Sequence, residues 1–347
     1  MYNKLFADIQ SFPGTLLKRN VIGKSREGRS IDAFQFGSGD FRISLIGGNH
    51  ADEPVGPLLL RKLVNYLDSL NSDSQLLTKF SWYIIPHANP DGEYVNDRWW
   101  DAEQSTVDPI AYLRHVVREL PGDDMEFGFP RSDDDPGLRP ENKIIYDWWC
   151  SHNCFYDLHA SLHGMAWAAG PWYLIEQAWQ DRIEFLKTSC LEFVAAKGYR
   201  VHDIERNGEK GFFRLGTGFC TRPDSVNMRK YFLDSNDHET ADKFYPSSME
   251  IMRRLSSDCL TLVSEMPLFL LPDVGLELGP PDSAAMKWKT QVEQWRCRML
   301  TGIAVEQLRE EIESSGFKPM PILDQMQFQW HFINAGIEQV LCDRSKC

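Results

Sequence analysis

The order of apolar and polar positions divides most of the chain into short buried strands and amphipathic helices. Arg42–Gly48 and Phe80–His87 are apolar runs that end at glycines or just before a turn, which is typical of buried strands. Between them, apolar residues recur at helical spacing from Val55 to Leu70. Further strands are predicted over Asn153–Ala160 and Leu260–Phe269. Strands that alternate with helices in this way predict an α/β fold.

A long polar connection separates the second predicted strand from the third. It covers Asp101–Asn142, is rich in proline and glycine, and contains the acidic run Asp133–Asp135, which is predicted to be a solvated loop. A connection of this length inside a compact domain more often carries function than not.

The pattern changes after two consecutive prolines at 280 and 281. Ser283–Ser315 is rich in charged and amide side chains at helical spacing, and the same spacing resumes over Met326–Val340. We therefore predict one α/β domain over residues 1–275 and a helical C-terminal extension over residues 276–347, packed on or beside it.

Composition then narrows the class of protein. The 347 residues include 37 Lys+Arg and 50 Asp+Glu, a net charge of −13, which argues against nucleic acid or an anionic membrane as the main partner. No apolar run approaches the length of about 18 residues that a membrane-spanning helix needs. The N-terminus lacks the pattern of a signal peptide, and the eight cysteines are scattered. A cytoplasmic protein with reduced thiols is the expectation.

The strongest chemical signal is the segment Gly47–Pro54 (GGNHADEP), where a strand meets a helix. His50 ends the strand and Glu53 begins the helix, so that an imidazole and a carboxylate can converge on one cation. Catalytic zinc takes three such ligands from the protein and keeps one position for water. The third ligand is predicted to be His159, at the end of the next strand. His163 is expected either to line the site or to be an ordinary loop histidine.

Several short motifs, in this order, resemble the zinc carboxypeptidase family of metallopeptidases. They are Ile22–Ile31 (IGKSREGRSI), the segment with His50 and Glu53, Asn89–Gly92 (NPDG), His159 and Ser264–Pro267 (SEMP). The resemblance implies a mixed central β-sheet flanked by helices, in the manner of phosphorylase/hydrolase-like folds. It also implies a zinc-dependent hydrolase with Zn²⁺ held by His50, Glu53 and His159.

The resemblance assigns roles to three further residues. Glu265 matches the family's catalytic glutamate, which takes a proton from the attacking water. Arg98 follows the Asn-Pro-Asp-Gly turn and matches the arginine that stabilises the developing oxyanion. Asp124 matches an aspartate that hydrogen-bonds and orients the first zinc histidine, here His50. His87 also ends a predicted strand and is a weaker competing ligand.

The sequence differs from the family's motif at the residues with which the family recognises a terminal carboxylate. The family's Asn-Arg pair is replaced by Glu126-Phe127, so we predict an altered C-terminal specificity. Either Arg131 or Arg139 restores a carboxylate site, or Glu126 faces the pocket and favours a cationic or amino-bearing group. Tyr245 is expected to cover the substrate, as a mobile tyrosine does in the family.

Two other functions stay open. An N-acyl amino acid deacylase of the aspartoacylase/succinylglutamate desuccinylase type shares the His-x-x-Glu and the later histidine, but fits Ser25–Ile31 and Asn89–Gly92 less well. A non-catalytic binding module on the same scaffold would be favoured by loss of Glu265 or of a zinc ligand, and all of these residues are present. The expected substrate is therefore a peptide or an N-acyl amino acid.

Overall fold

The computed structural model describes residues 2–132, 135, 139–276, 278–279, 282–302 and 304–345. Asp133 and Asp134, in the acidic run predicted to be a solvated loop, lie outside the described residues. The helices are α1 Tyr2–Gln10, α2 Val55–Asp68, α3 Gln75–Thr78, α4 Pro90–Val95, α5 Pro109–His115, α6 Pro140–Ser151, α7 Glu184–Ala196, α8 Ser225–Asp234, α9 His238–Asp242, α10 Ser248–Leu255, α11 Ser283–Leu300, α12 Val305–Ser315 and α13 Ile322–Arg344. The strands are β1 Val21–Lys24, β2 Ser30–Asp32, β3 Phe34–Phe36, β4 Phe41–Gly47, β5 Phe80–Ile85, β6 Leu158–Ala168, β7 Trp172–Ile175, β8 Arg214–Gly216, β9 Phe219–Thr221, β10 Leu260–Leu270 and β11 Lys318–Pro319.

A mixed sheet forms the centre of the fold. In the described part of the chain its strand order is β3-β5-β4-β6-β10-β7-β9-β8, with β11 added alongside β10. The strands β5, β4, β6 and β10 run parallel to their neighbours within this group, whereas β3 and β7 pair antiparallel with β5 and β10. Helices cover both faces, which confirms the predicted α/β class with a mixed central sheet flanked by helices.

Side chains alternate between the two faces of the sheet, as the period of two in a strand requires. On β6, Leu158, Ala160 and Leu162 belong to the large core beneath α2 and α13. The intervening His159, Ser161 and His163 therefore point to the opposite face, where α10 packs against the strand. Three polar side chains thus lie in one row on a buried face of the sheet.

The C-terminal segment contributes to the same core as the rest of the chain. Helix α13 packs against α2, α7, β6 and β10, and its Phe328, Phe332 and Ile333 are fully buried. Both sides of the predicted boundary at residue 275 supply residues to the large core. The division into a domain over 1–275 and an extension over 276–347 stays a sequence-based prediction.

None of the described helices combines the length and the apolar character needed to cross a membrane.

Candidate active site

The turn after β4 presents the first polar group of the site. Gly48 has φ +71°, and a Cβ atom there would lie 2.4 Å from His87 Nδ1, so glycine is required on both counts. Asn96 Nδ2 donates to the carbonyl of Ala51 over 3.0 Å, and this bond fixes the following residues. The turn holds His50 and Glu53 at the carboxyl edge of the sheet, where α/β proteins commonly bind ligands.

His50, Glu53 and His163 converge on one point. Their ligand atoms all lie within 4.8 Å of one another, and Glu53 Oε2 is 3.0 Å from His163 Nδ1. Burial lowers the pKa of His50 to about 3, so this imidazole is neutral at pH 7, the form that binds a metal. Two imidazole nitrogens and one carboxylate oxygen are a donor set that zinc accepts. Among the described residues this group is therefore able to hold a zinc ion.

His159, predicted as the third ligand, lies apart from the group formed by His50, Glu53 and His163. The strand β6 begins at Leu158 rather than ending near Ala160, so His159 lies at its start, in register with Ser44 in the interior of β4. It is four residues from His163, a distance of about 13 Å along a strand. Its Nδ1 is 3.0 Å from Ser44 Oγ and its Nε2 is 3.2 Å from Ser248 Oγ. His159 is a buried histidine whose two ring nitrogens both contact hydroxyl groups.

Glu126 lies on the far side of the His163 ring from Glu53. Its Oε2 is 3.1 Å from His163 Nε2 and accepts a hydrogen bond from Asn49 Nδ2 over 2.7 Å. Ser161 Oγ is 2.8 Å from the same ring nitrogen. Glu126 is buried and does not line the neighbouring cavity, so its position differs from the predicted one that faces a substrate. Its carboxylate contacts the His163 ring instead, a position that supports a role in orienting that ring.

We expect Glu126→Ala to weaken zinc binding by about 10- to 100-fold, the usual effect of removing a partner that orients a ligating histidine. Without the carboxylate, the His163 ring keeps only Ser161 at Nε2. A competition titration against a chromophoric chelator measures the affinity. The matched control is Glu103→Ala, an exposed glutamate in the same connection. Equal zinc affinity in the two variants would contradict the assignment.

The arginine beside the cluster is Arg118, which the sequence did not single out. Its Nη1 donates to Asp52 Oδ1 over 2.9 Å and to Glu53 Oε1 over 3.1 Å. Arg98, predicted as the oxyanion-binding residue, is exposed in the turns that follow α4 and does not line the cavity beside the cluster. No local motif marks Arg118, because its position depends on the path of the chain after α5.

Glu265 lies beside the cluster on the adjacent strand. It pairs in register with His163, so their side chains emerge from the same face of the sheet. Burial and the negative charge of Glu53 raise the pKa of Glu265 to about 8. Its carboxylate makes no hydrogen bond to another described residue. A carboxyl group beside the three converging ligands that has no fixed partner is placed to exchange a proton.

Asp124, which the resemblance predicts to hydrogen-bond His50, lies near that histidine. Its Oδ2 is 3.8 Å from His50 Nδ1, while its Oδ1 accepts from the backbone N–H of Glu126 over 3.0 Å. Burial and the nearby charge of Glu126 raise the pKa of Asp124 to about 7. That Asp124 orients His50 is a proposal that this neighbourhood supports.

A cavity of about 650 Å³ opens beside the cluster. Four charged side chains line it, namely Asp52, Arg118, Glu265 and Arg296. The rest of the lining is mainly apolar and includes Leu113, Val116, Met165, Trp167, Trp172 and Val292. The cavity is therefore suited to a largely apolar ligand that carries a charged group.

Arg131 and Tyr245, both predicted to bind substrate, contact each other instead of lining this cavity. The Arg131 guanidinium lies 3.9 Å from the centre of the Tyr245 ring and donates to the carbonyl of Phe244 over 3.2 Å. The Tyr245 backbone N–H donates to the carbonyl of Phe127 over 2.9 Å. Their contact with substrate stays a prediction.

Fold and site together define an α/β protein with a candidate metal site at the carboxyl edge of its central sheet. The sequence model of the family described as zinc carboxypeptidase matches residues 2–189, more than half of the 347 residues. The chain belongs to the zinc carboxypeptidase family, which confirms the resemblance in its sequence motifs.

Curated relatives match shorter segments. The chain is 37% identical to carboxypeptidase E of Caenorhabditis elegans over 161 residues, which cover 38% of this chain and 33% of that protein. It is 31% identical to zinc carboxypeptidase A 1 of Anopheles gambiae over 99 residues, 26% of this chain and 22% of that protein. The matched segments thus span about a fifth to a third of these relatives. Carboxypeptidase A from Helicoverpa armigera, a solved structure, is similar with a TM-score of 0.46 and 16% identity over 98% of this chain and 73% of that chain.

Proposed function

We propose that this chain is a zinc-dependent hydrolase that cleaves an amide or peptide bond, with zinc held by His50, Glu53 and His163. The observation that carries the proposal is the convergence of these three ligands next to Glu265, which lines the neighbouring cavity. Membership of the zinc carboxypeptidase family supports the same reaction.

The metal and the side chains around it would have different roles in the hydrolysis. Bound zinc would lower the pKa of a water molecule and polarise the substrate carbonyl. Glu265 would accept the proton of the attacking water as the new C–O bond forms. It would then deliver that proton to the nitrogen as the C–N bond breaks, so that the leaving group departs as a neutral amine.

Arg118 is placed to stabilise the negative charge that develops on the carbonyl oxygen. Asp52 and Glu53 hold its guanidinium in a fixed orientation at the cavity wall. A preorganised cation needs no reorientation during the reaction, which makes its electrostatic effect large. We propose Arg118 for this role in place of Arg98, which is exposed.

Purified protein is expected to contain about one zinc per chain and to hydrolyse peptides in a reaction that a chelator stops and added zinc restores. Elemental analysis and a peptide hydrolysis assay measure these properties. N-acyl amino acids belong in the same assay, because turnover of these alone would favour the deacylase. Stoichiometric zinc without turnover on either class would favour a binding module. Absence of bound metal would refute the proposal.

A location in the cytoplasm stays a prediction from the sequence.

A further inference from the structure

We propose that Arg296, on helix α11 of the C-terminal segment, binds a carboxylate of the substrate next to an apolar side chain. The inference rests on the proposed function, because it deals with the same cavity. It assigns to the C-terminal segment the carboxylate recognition that Glu126 and Phe127 do not supply.

The helix α11 carries Arg296 to the cavity in a fixed position. Trp288 and Trp295 are buried, and their indole N–H groups donate to Asp273 and Glu311. These anchors hold α11 against α5 and the neighbouring aromatic side chains. Val292 and Arg296 are four residues apart, so they share one face of the helix, and both line the cavity.

Arg296 has a guanidinium that is available for a ligand. Its nearest acidic partner in the described chain is Glu293 on the same helix, at 3.9 Å, and it makes no hydrogen bond to another described residue. Arg118, the other arginine in the described lining of the cavity, already binds Asp52 and Glu53. An anion that enters the cavity therefore finds in Arg296 a guanidinium that makes no hydrogen bond to another described residue.

The two arginines near the family's carboxylate-binding position are engaged elsewhere. Arg131 stacks on Tyr245. Arg139 donates to Glu119 over 2.8 Å and to the carbonyl of Asp123 over 2.7 Å. Neither lines the cavity.

The electrostatic surroundings favour one carboxylate near Arg296. Tyr112, Asp52, Arg118 and Arg296 line the same cavity. Asp52 is already paired with Arg118. A guanidinium can bind a carboxylate through two parallel hydrogen bonds. The apolar wall with Trp167 and Trp172 would accept an aliphatic or aromatic side chain beside that carboxylate.

Titration calorimetry with N-acetyl-L-phenylalanine and its amide tests the inference, because these ligands share every group except the carboxylate. The wild-type protein is expected to bind the acid about 10- to 100-fold more tightly than the amide. Arg296→Gln should remove this difference, and Arg296→Lys should keep part of it. The matched control is Lys289→Ala, which removes an exposed positive charge from the same helix and should retain the full preference. Equal binding of acid and amide by the wild type, or an unchanged preference in Arg296→Gln, would overturn the inference.

Kinetics separate this inference from the proposed function. With peptides that end in phenylalanine, Arg296→Gln should raise KM for the free acid and leave KM for the amidated peptide unchanged. If the wild type turns over peptides and Arg296→Gln behaves like it, the role of Arg296 fails while the hydrolase assignment holds. If the wild type has no turnover, the proposed function fails, and calorimetry still decides the role of Arg296. Circular dichroism spectra identical to those of the wild type show that the variants are folded.

Discussion

Replacing Glu265 by glutamine is expected to lower kcat by about 10²- to 10⁴-fold, the usual contribution of a general base, without loss of bound zinc. The amide has nearly the same shape as the carboxylate but cannot accept the proton of the attacking water. Glu265 pairs with His163 in register, yet it is not one of the three converging ligands. The prediction therefore separates proton transfer from metal binding.

The measurement combines steady-state kinetics with elemental analysis of the same preparation. Glu239→Gln is the control, because Glu239 is exposed on α9 and does not line the cavity. We expect this control to keep the wild-type kcat and zinc content. If Glu265→Gln retains kcat within a few-fold of the wild type, another group is the base. If it loses zinc, Glu265 acts on the metal site rather than on the proton.

Local sequence patterns were sufficient to predict the strand and the helix that surround the site. The predicted strand Arg42–Gly48 corresponds to β4, and the predicted helix Val55–Leu70 corresponds to α2. In the strand the apolar residues dominate, and in the helix they recur at helical spacing, so that local pattern and tertiary packing agree. The pair His50 and Glu53 lies at the junction of these two elements, and its convergence could therefore be anticipated from spacing alone.

The strand that carries the third proposed ligand, His163, could not be predicted in the same way. One face of β6 bears His159, Ser161 and His163, and these polar positions interrupt the apolar run along which a strand is usually recognised. The predicted strand consequently ended at Ala160, next to His159 rather than at His163. The period of two along His159-Ala160-Ser161-Leu162-His163 is the signal that would have extended the strand to His163.

Arg118 and Arg296 could not be found from local pattern because tertiary packing alone brings them to the cavity. Arg118 lies in an irregular stretch after α5, with no turn motif or periodicity around it. Arg296 lies in a helix whose many charged residues suggest a solvated surface, and only the burial of Trp288 and Trp295 shows which face is turned inward. For both residues, the position of the guanidinium depends on contacts between distant parts of the chain.

The two histidines of β6 are expected to respond in opposite ways to substitution. His163→Ala should weaken zinc binding by more than about 100-fold, beyond the effect of losing a residue that only orients a ligand, because it removes one of three donors. His159→Gln should keep one zinc per chain, since Ser44 and Ser248 occupy both nitrogens of His159 and an amide can bond to the same hydroxyls. The loss of the buried ring should instead lower the free energy of unfolding by about 1–3 kcal/mol.

Zinc titrations and chemical denaturation of the two variants distinguish a ligand from a structural histidine. Substitution of a zinc ligand lowers the affinity for zinc. The variant and the wild type then differ in their free energy of unfolding mainly when zinc is present, because zinc that binds only the native state stabilises that state. Substitution of a structural histidine lowers the free energy of unfolding equally with and without zinc. If His159→Gln loses zinc while His163→Ala retains it, the original assignment from the sequence holds. In that case β6 must be shifted in register by four residues relative to β4 in the zinc-bound protein, since only such a shift brings His159 level with the turn that carries His50.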